Sequence, residues 1–230
     1  MSMDKAGALR SQIEMELHTN HAGRIWSGRG IESGKPPIIG MKQFLQIAGQ
    51  IRQNAAKDDP YADHWLIILD DKIHSTAERF SAQEKRLEQL FSALPGELHV
   101  QENLNQTPIL IPVYTGGQHG YLAIQLLIRF DRLVRQALLA HHVALLGRIQ
   151  TEAVIQEVGT AMRSLCACLR QYGGYSGTTR DDYAANNARA REAIEKFGEL
   201  PVDVLRGDRR SNFAPALPHN NKTEIGVDDE

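Results

Sequence analysis

The N-terminal part of the chain contains an alternation of apolar and polar residues. The two kinds take turns along the run Gln12, Ile13, Glu14, Met15, Glu16, Leu17 and His18. A two-residue period predicts a half-buried β-strand, because successive side chains of a strand point to opposite faces. The alternation ends after Thr19, and a short segment with basic residues and Trp26 follows. This order fits either a strand and helix that contact DNA or an ordinary sheet edge.

The most regular pattern is a heptad repeat in the first half of the chain. The sequence Asp58-Asp59-Pro60 predicts an N-cap followed by proline in the first helical turn. The repeat then predicts a helix over residues 59–94, whose seam consists of Leu66, Leu69, Ile73, Thr76, Phe80, Gln83, Leu87, Leu90 and Leu94. The helix that packs on this seam belongs either to the same chain or to a second subunit. We favour the same chain, because the two polar seam residues would weaken a dimer held by this contact alone.

Further periodic segments complete the predicted elements. Apolar residues at helical spacing predict helices over residues 41–57, 121–149 and 179–197, and another that begins at a Thr151 cap. The β-branched run 107–115 predicts a second short strand that is buried on both faces, with its proline at an edge or a bulge. The predicted fold is mainly α with two short strands, a helical bundle built around the long heptad-patterned helix.

The expected domain organisation is simple. Residues 1–10 are expected to form a flexible N-terminus, and residues 11–212 a single mainly helical domain. Residues 213–230 are short of apolar side chains and rich in proline, asparagine and acid, which predicts a disordered acidic tail.

Composition indicates the class of protein and its cellular compartment. Of the 230 residues, 42% are hydrophobic and 23% are charged, which is ordinary for a soluble globular protein. There is no apolar run of membrane-spanning length and no signal-peptide pattern at the N-terminus, so no membrane partner is expected. The only cysteines are Cys166 and Cys168, within a helical pattern. These features favour a cytoplasmic location.

The net charge of −2 hides an uneven distribution along the chain. Residues 17–57 contain six basic residues and one acidic residue, a balance of +5, whereas residues 58–102 contain four basic and ten acidic residues, a balance of −6. Residues 103–172 return to +3, with six arginines against three acidic residues. A local phosphate-binding face near the N-terminus is therefore possible, and a solvated surface of mixed charge is the alternative.

No motif in the sequence indicates catalysis. Gly174-Tyr175-Ser176-Gly177 departs from a nucleophile elbow in its spacing and follows a helix, and the histidines lack the context of a metal-ligand set. The two cysteines are two positions apart on a predicted helix, so their side chains point to different sides. Phosphate-binding and dinucleotide-binding glycine motifs are absent from the sequence. We therefore expect neither an enzyme nor a bound cofactor or metal.

Several longer strings resemble a known family. They are RSQIEMELHTNHAGRIWSGR, PPIIG, AAKDDPYADHWL, LLAHHVALLGR and TRDDYAANNARAREAIEKFGELPVDVLRGDRRSNFAP. Together they resemble the integrating conjugative element protein family over roughly residues 9–217, and its AcaB-like transcriptional regulators of conjugative transfer. The resemblance implies a regulator encoded on an integrative or plasmid-borne mobile element. It also implies a ribbon-helix-helix DNA-binding element and action as a dimer at promoters.

Residues 11–57 have the element order of a ribbon-helix-helix: strand, short helix, turn and longer helix. In such a dimer, one strand from each subunit pairs to form a ribbon in the major groove. Glu14 and Glu16 on the outer face are a defect of this assignment, because phosphates repel them. The alternative ribbon, residues 109–115, has no polar face to read bases.

The site residues follow from that placement. We expect two base-contacting residues and four phosphate-contacting residues, namely Gln12 and His18, and Arg24, Arg29, Lys35 and Lys42. The expected partners are double-stranded DNA, a second copy of the chain and other regulators of the mobile element. A non-enzymatic adaptor or assembly protein of the conjugation machinery, which would bind a partner through the heptad helix, is the alternative function.

Overall fold

In the computed structural model, residues 13–30, 32 and 34–217 are described, and they form a helical bundle with one small sheet. The first half consists of β1 (Glu14–Leu17), α1 (Asn20–Ser27), α2 (Met41–Ala55) and α3 (Pro60–Ser92). The second half consists of β2 (Ile109–Pro112), α4 (Gln118–His142), α5 (Arg148–Cys168), a 3-10 turn (Leu169–Gln171), α6 (Arg180–Ala184), α7 (Ala188–Phe197) and α8 (Val202–Arg206). The predicted class, mainly α with two short strands, is confirmed.

Strand β1 has the predicted alternation. Met15 and Leu17 are buried against the helices, and Glu14 and Glu16 face solvent. Ile13 departs from the pattern, since it lies before the strand and is 58% exposed. The sheet therefore has an apolar inner face and an outer face that carries two carboxylates.

The pairing of β1 corrects the expected ribbon. The strand pairs antiparallel with β2 of the same chain, with Met15 opposite Ile111 and Leu17 opposite Ile109. The two segments considered as alternative ribbons are thus the two strands of one sheet. Because β2 already takes the hydrogen bonds along one edge of β1, a second copy could pair only along an outer edge.

The prediction that the second strand is buried on both faces is wrong. Ile111 is buried in β2, whereas Leu110 is 62% exposed. The reason is that the helices cover only one face of a two-stranded antiparallel sheet. Since each strand of such a sheet is an edge strand, Pro112 is tolerated there, as predicted.

Helix α3 begins as its sequence predicts. The Asp59 carboxylate accepts hydrogen bonds from the backbone N–H groups of Tyr61 and Ala62, and Pro60 occupies the first turn. The same carboxylate accepts from the N–H and the hydroxyl of Ser176, so it also fixes the loop before α6. Burial raises the pKa of Asp59, and these four hydrogen bonds oppose that rise.

The heptad seam of α3 packs inside the chain, against α4 and α5. From Leu66 to Leu87 its residues are buried, and the Phe80 ring lies 6.5 Å from the Phe130 ring of α4, measured between centroids. Thr76 Oγ1 donates to the Lys72 carbonyl, and Gln83 Nε2 donates to a Glu157 carboxylate oxygen of α5 at 2.7 Å. The intramolecular seam that the sequence favoured is confirmed.

The prediction of one helix over residues 121–149 is wrong, because α4 ends at His142. Ala144 adopts a left-handed conformation with φ of 59°, and the N–H groups of Leu145 and Leu146 both donate to the Ala140 carbonyl. The chain turns there, and α5 starts from Gly147. Thr151, the predicted cap, lies inside α5, where its hydroxyl donates to the Gly147 carbonyl.

The last predicted helix is also interrupted. Thr179 is the N-cap of α6, as predicted, and forms a capping box with Asp182. Asn186 then adopts a left-handed φ of 46°, and the Asn187 side chain caps α7 by accepting from the Ala190 N–H. The prediction of one helix over residues 179–197 is therefore wrong, because asparagine is a favoured N-cap and here starts a new helix.

Buried ion pairs hold the C-terminal segments against α3. The Asp63 carboxylate accepts from the guanidinium groups of Arg180, at 2.6 Å, and Arg210, at 2.8 Å. Part of the segment expected to be disordered, residues 213–217, is described, and the Phe213 ring packs edge-on against His119. Residues 218–230 and 1–12 lie outside the described residues.

None of the helices in the described part of the chain combines the length and the apolar character that a membrane span requires.

Candidate nucleic-acid interface

A buried carboxylate of α4 positions α1. Asp131 accepts hydrogen bonds from the backbone N–H groups of His18, at 3.1 Å, and Thr19, at 2.9 Å. The Thr19 side chain in turn accepts from the Ala22 N–H and so caps α1. The junction between β1 and α1 is therefore fixed on α4, and the exposed face of α1 has a defined orientation.

The loop after α1 folds back on the helix end. Gly28 has φ of 68°, and a side chain there would lie within 2.5 Å of the backbone of Ile38 and Gly40, so only glycine fits. Arg29 exchanges two backbone hydrogen bonds with Ile38, and its guanidinium donates from Nε and Nη2 to the Pro36 carbonyl. This closure fixes the position of the Arg29 side chain.

A groove with a volume of about 940 Å³ lies between this region and α5. One wall consists of α1 and its loop, with His21, Arg24, Ile25, Arg29, Ile38 and Ile39. The opposite wall is one face of α5, with Arg148, Glu152, Ile155, Gly159, Arg163 and Cys166. Between the walls, α4 contributes Phe130, Leu138 and His141. We call this feature the basic groove.

The charge of the basic groove is strongly positive. Its lining contains four arginines and a single carboxylate, Glu152, which is 2.9 Å from Arg148. Among the described residues, no carboxylate lies within ion-pair distance of Arg24, Arg29 or Arg163. Burial lowers the pKa of His21, and the neighbouring Arg24 charge lowers it further. The groove can therefore attract an anion from outside the protein.

The arginines of α5 lie far apart along one helix face. Arg148 is in the first turn and Arg163 is fifteen residues later, which corresponds to about 22 Å along the axis at 1.5 Å per residue. Gly159 lies between them, and a side chain there would come within 3.1 Å of the Arg163 guanidinium. The basic groove is thus long enough to meet several phosphates of a duplex.

The structure brings only some of the predicted site residues together. Arg24 and Arg29 line the basic groove. Lys35 is exposed in the loop that the Arg29 bridge closes, and Lys42 is exposed in the first turn of α2, outside the groove lining.

The two residues expected to contact bases are placed differently. The His18 side chain is only 13% exposed; its Nδ1 accepts from the Asn105 N–H, and its Nε2 lies 3.3 Å from a Glu16 carboxylate oxygen. Both ring nitrogens therefore have partners. Gln12 lies outside the described residues.

Sequence reasoning missed Arg148 and Arg163. The available signal was the positive balance of residues 103–172, which consists of arginines alone, together with their position on the polar side of the α5 pattern. Nothing local indicated that this helix faces α1, which lies more than a hundred residues earlier. The place of Arg148 and Arg163 in the groove depends on how distant segments pack together, which the local sequence does not show.

Other polar clusters have a structural explanation. His119 Nε2 lies 2.8 Å from Asp70 and 3.3 Å from the Ser211 hydroxyl, so both partners meet the same ring nitrogen. A nucleophile relay needs one partner on each nitrogen, which this geometry does not provide. Burial raises the pKa of Cys166 to about 12, so its thiol stays protonated. In the described segments, no three side chains of the metal-ligating types are grouped as a metal site requires.

Comparisons with known proteins agree with the fold and its family resemblance. A family model described as transcriptional regulator AcaB matches residues 5–218. A solved structure, selenomethionine-containing AcaB from uropathogenic E. coli, aligns with a TM-score of 0.56 at 10% identity, over 86% of this chain and 95% of that chain. At that identity the likeness shows a common fold. No curated protein sequence matches the chain.

Proposed function

The chain belongs to the AcaB family of transcriptional regulators, and we propose on that basis that it binds double-stranded DNA through the basic groove. In this proposal Arg24 and Arg29 on one wall, and Arg148 and Arg163 on the other, contact phosphates. The protein acts in the cytoplasm as a dimer at promoters of a conjugative or integrative mobile element, together with other regulators of that element. Its mechanism is binding and recruitment without a chemical step.

The observation that carries the proposal is the set of arginines without carboxylate partners. A protein that uses its arginines for its own stability pairs them, as Arg129 pairs with Glu84 at 2.7 Å and Arg180 with Asp63. Arg24 and Arg163 are exposed and have no such partner among the described residues. Unpaired cations on facing walls favour a polyanion, because each phosphate contact releases condensed counterions.

The outer face of the sheet is a weaker candidate for DNA. It presents Glu14 and Glu16 from β1 beside the exposed Leu110 from β2. Carboxylates repel phosphates, and an exposed leucine offers no donor to a base edge. We propose instead that the two exposed lysines near the groove, Lys35 and Lys42, add phosphate contacts beside it. Base contacts by Gln12 and His18 stay a prediction.

The test is a titration of DNA binding by fluorescence anisotropy at several salt concentrations. The paired variant Arg24→Ala with Arg163→Ala removes one arginine from each wall, and the matched control, Arg79→Ala with Arg86→Ala, removes two exposed arginines of α3. We expect the groove variant to bind more weakly and to lower the magnitude of the salt slope by about two. Equal affinities and slopes for groove variant and control would contradict the proposal.

The specificity of binding separates regulator from adaptor. DNA fragments from upstream of genes on the host element are compared with a scrambled duplex of equal length. A preference that persists at moderate salt supports a regulator, because the sequence-independent electrostatic part of binding weakens with salt. The adaptor proposal relied on a free heptad helix, and the α3 seam is packed against α4 and α5.

A further inference from the structure

We propose that the interior of the basic groove is a binding site for a small amphipathic anion, an apolar body that carries a carboxylate or phosphate group. Occupancy of this site would compete with DNA for the arginines of the rim. The existence of the site stands on the groove alone. The competition rests on the function proposed above.

The depth of the groove is the first argument. Its lining includes Phe130 and Cys166, which are only 2% and 1% exposed, so the cavity reaches the hydrophobic core. A duplex that lies across the rim can contact Arg24 and Arg163 but cannot reach these side chains. A volume of about 940 Å³ falls within the range of pockets that bury small organic ligands.

The arrangement of apolar and charged groups is the second argument. Ile25 and Ile38 on one wall face Ile155 on the other, and Phe130 and Leu138 lie between them. These side chains gain nothing from a phosphate backbone, whereas they would bury an aromatic or alkyl group favourably.

The fixed arginine at one end is the third argument. Arg29 is held by two donations to the Pro36 carbonyl, from Nε and Nη2. Its Nη1 makes no further hydrogen bond to the described residues, and Arg24 lies on the same wall. An anionic group bound there would find a donor already oriented, so little side-chain entropy would be lost on binding. The site therefore selects ligands with a negative head and an apolar body.

The first experiment uses anilinonaphthalene sulfonate (ANS), an aromatic anion whose fluorescence rises in apolar surroundings. It is titrated into the full chain without DNA. We expect saturable binding that Arg24→Ala with Arg163→Ala weakens by about tenfold, since a charge-assisted contact is lost. Leu138→Glu, which places a carboxylate at the partly exposed edge, should weaken binding as well. Arg79→Ala with Arg86→Ala should leave it unchanged.

Thermal melts of each variant show whether it is folded, because ANS also binds partly unfolded chains. Equal ANS affinity for wild type and both groove variants, all folded, would overturn the site. Displacement of ANS by naphthoate or decanoate supports a small amphipathic anion. Displacement by an acidic, leucine-containing peptide but by neither carboxylate would overturn it in favour of a protein partner.

The second experiment measures DNA affinity at saturating ANS. We expect the apparent DNA dissociation constant to rise several-fold, and the ANS constant to rise reciprocally when DNA is present. If ANS binds in the groove and DNA affinity does not change, the competition is wrong while the site remains. If the chain binds no DNA under any condition, the proposed function fails, and the ANS titration still decides the site.

Discussion

The α3 seam and the basic groove differ in whether their polar side chains have partners within the chain. Along the seam, apolar side chains are buried and even the polar residues Thr76 and Gln83 donate to partners within the chain. Along the groove, Arg24 and Arg163 are exposed, one on each wall, and neither has a carboxylate partner among the described residues. Hydrogen bonds made within the chain stabilise the fold, although Gln83 Oε1 is buried without a hydrogen-bond partner among the described residues. An exposed arginine without a carboxylate partner adds little stability. Substitutions along the seam should therefore lower stability more than substitutions of the groove arginines.

The largest expected effect is on the seam. Phe80→Ala removes a fully buried ring that packs against Phe130, and it should lower the free energy of unfolding by about 3 to 5 kcal/mol. The melting temperature should fall by the same amount at every protein concentration, because the seam lies within one chain. Phe213→Ala, at a ring that is 41% exposed, is the control and should cost less. A loss that higher concentration reverses would place the seam between subunits.

A smaller effect is expected where the groove wall is attached to the bundle. Asp131→Ala removes the acceptor of the His18 and Thr19 N–H groups and should cost about 3 kcal/mol, with a loss of DNA affinity. Asp131→Asn keeps one acceptor oxygen and should cost less. Hydrogen exchange measures both, since the amides of α1 should lose protection before those of α3. Uniform loss of protection in both helices would contradict this separate attachment.

Two histidines have a lowered pKa, His21 in the groove wall and His64 in α3, near the start of the seam. Burial is the main cause for both, followed by Arg24 for His21 and Arg209 for His64. A lowered folded-state pKa means that the unfolded chain binds protons first as the pH falls below 6.5. We therefore expect stability to fall as the pH decreases from 6.5 towards the folded-state pKa values. His21→Gln or His64→Gln should flatten this part of the urea-unfolding profile; an unchanged slope in both would contradict the assignment.

The smallest effect is expected from the groove arginines. Arg24→Ala and Arg163→Ala remove exposed side chains without carboxylate partners, so each should change the free energy of unfolding by no more than about 0.5 kcal/mol. The relief of mutual repulsion could make the change slightly stabilising. Urea denaturation of both variants beside wild type measures it. A cost as large as that of a core residue would mean that these arginines maintain the fold.

The two regions also differ in how far the sequence predicts them. The start of α3 and its seam are encoded locally, by an acid before a proline and by a seven-residue period, so both were predicted correctly. The groove joins α1 to α5, and no local pattern relates Arg24 to Arg163. Charge counting pointed to Arg24 and Arg29 because their surroundings are almost free of acid.

The errors have the same origin. The break after His142 lacks a proline, and Ala144 has its left-handed φ in the turn after which α5 packs back against α4. Leu110 belongs to an apolar run, yet it is exposed because none of the described segments covers that face of the sheet. Periodicity reports what a segment can bury. It does not report whether another segment arrives to cover it.

The hydrogen bonds from His18 and Thr19 to Asp131 also set an order of events during protein synthesis. The carboxylate lies 113 residues after His18. A ribosome needs roughly 6 to 23 seconds to add that length of chain. The sheet partner β2 (Ile109–Pro112) is made before Asp131, but until that residue is added the junction between β1 and α1 has no anchor, and the wall that carries Arg24 and Arg29 cannot take its final position. A nascent chain released before α4 is made would carry this basic segment without the groove. The groove therefore forms late, when most of the protein has already been translated.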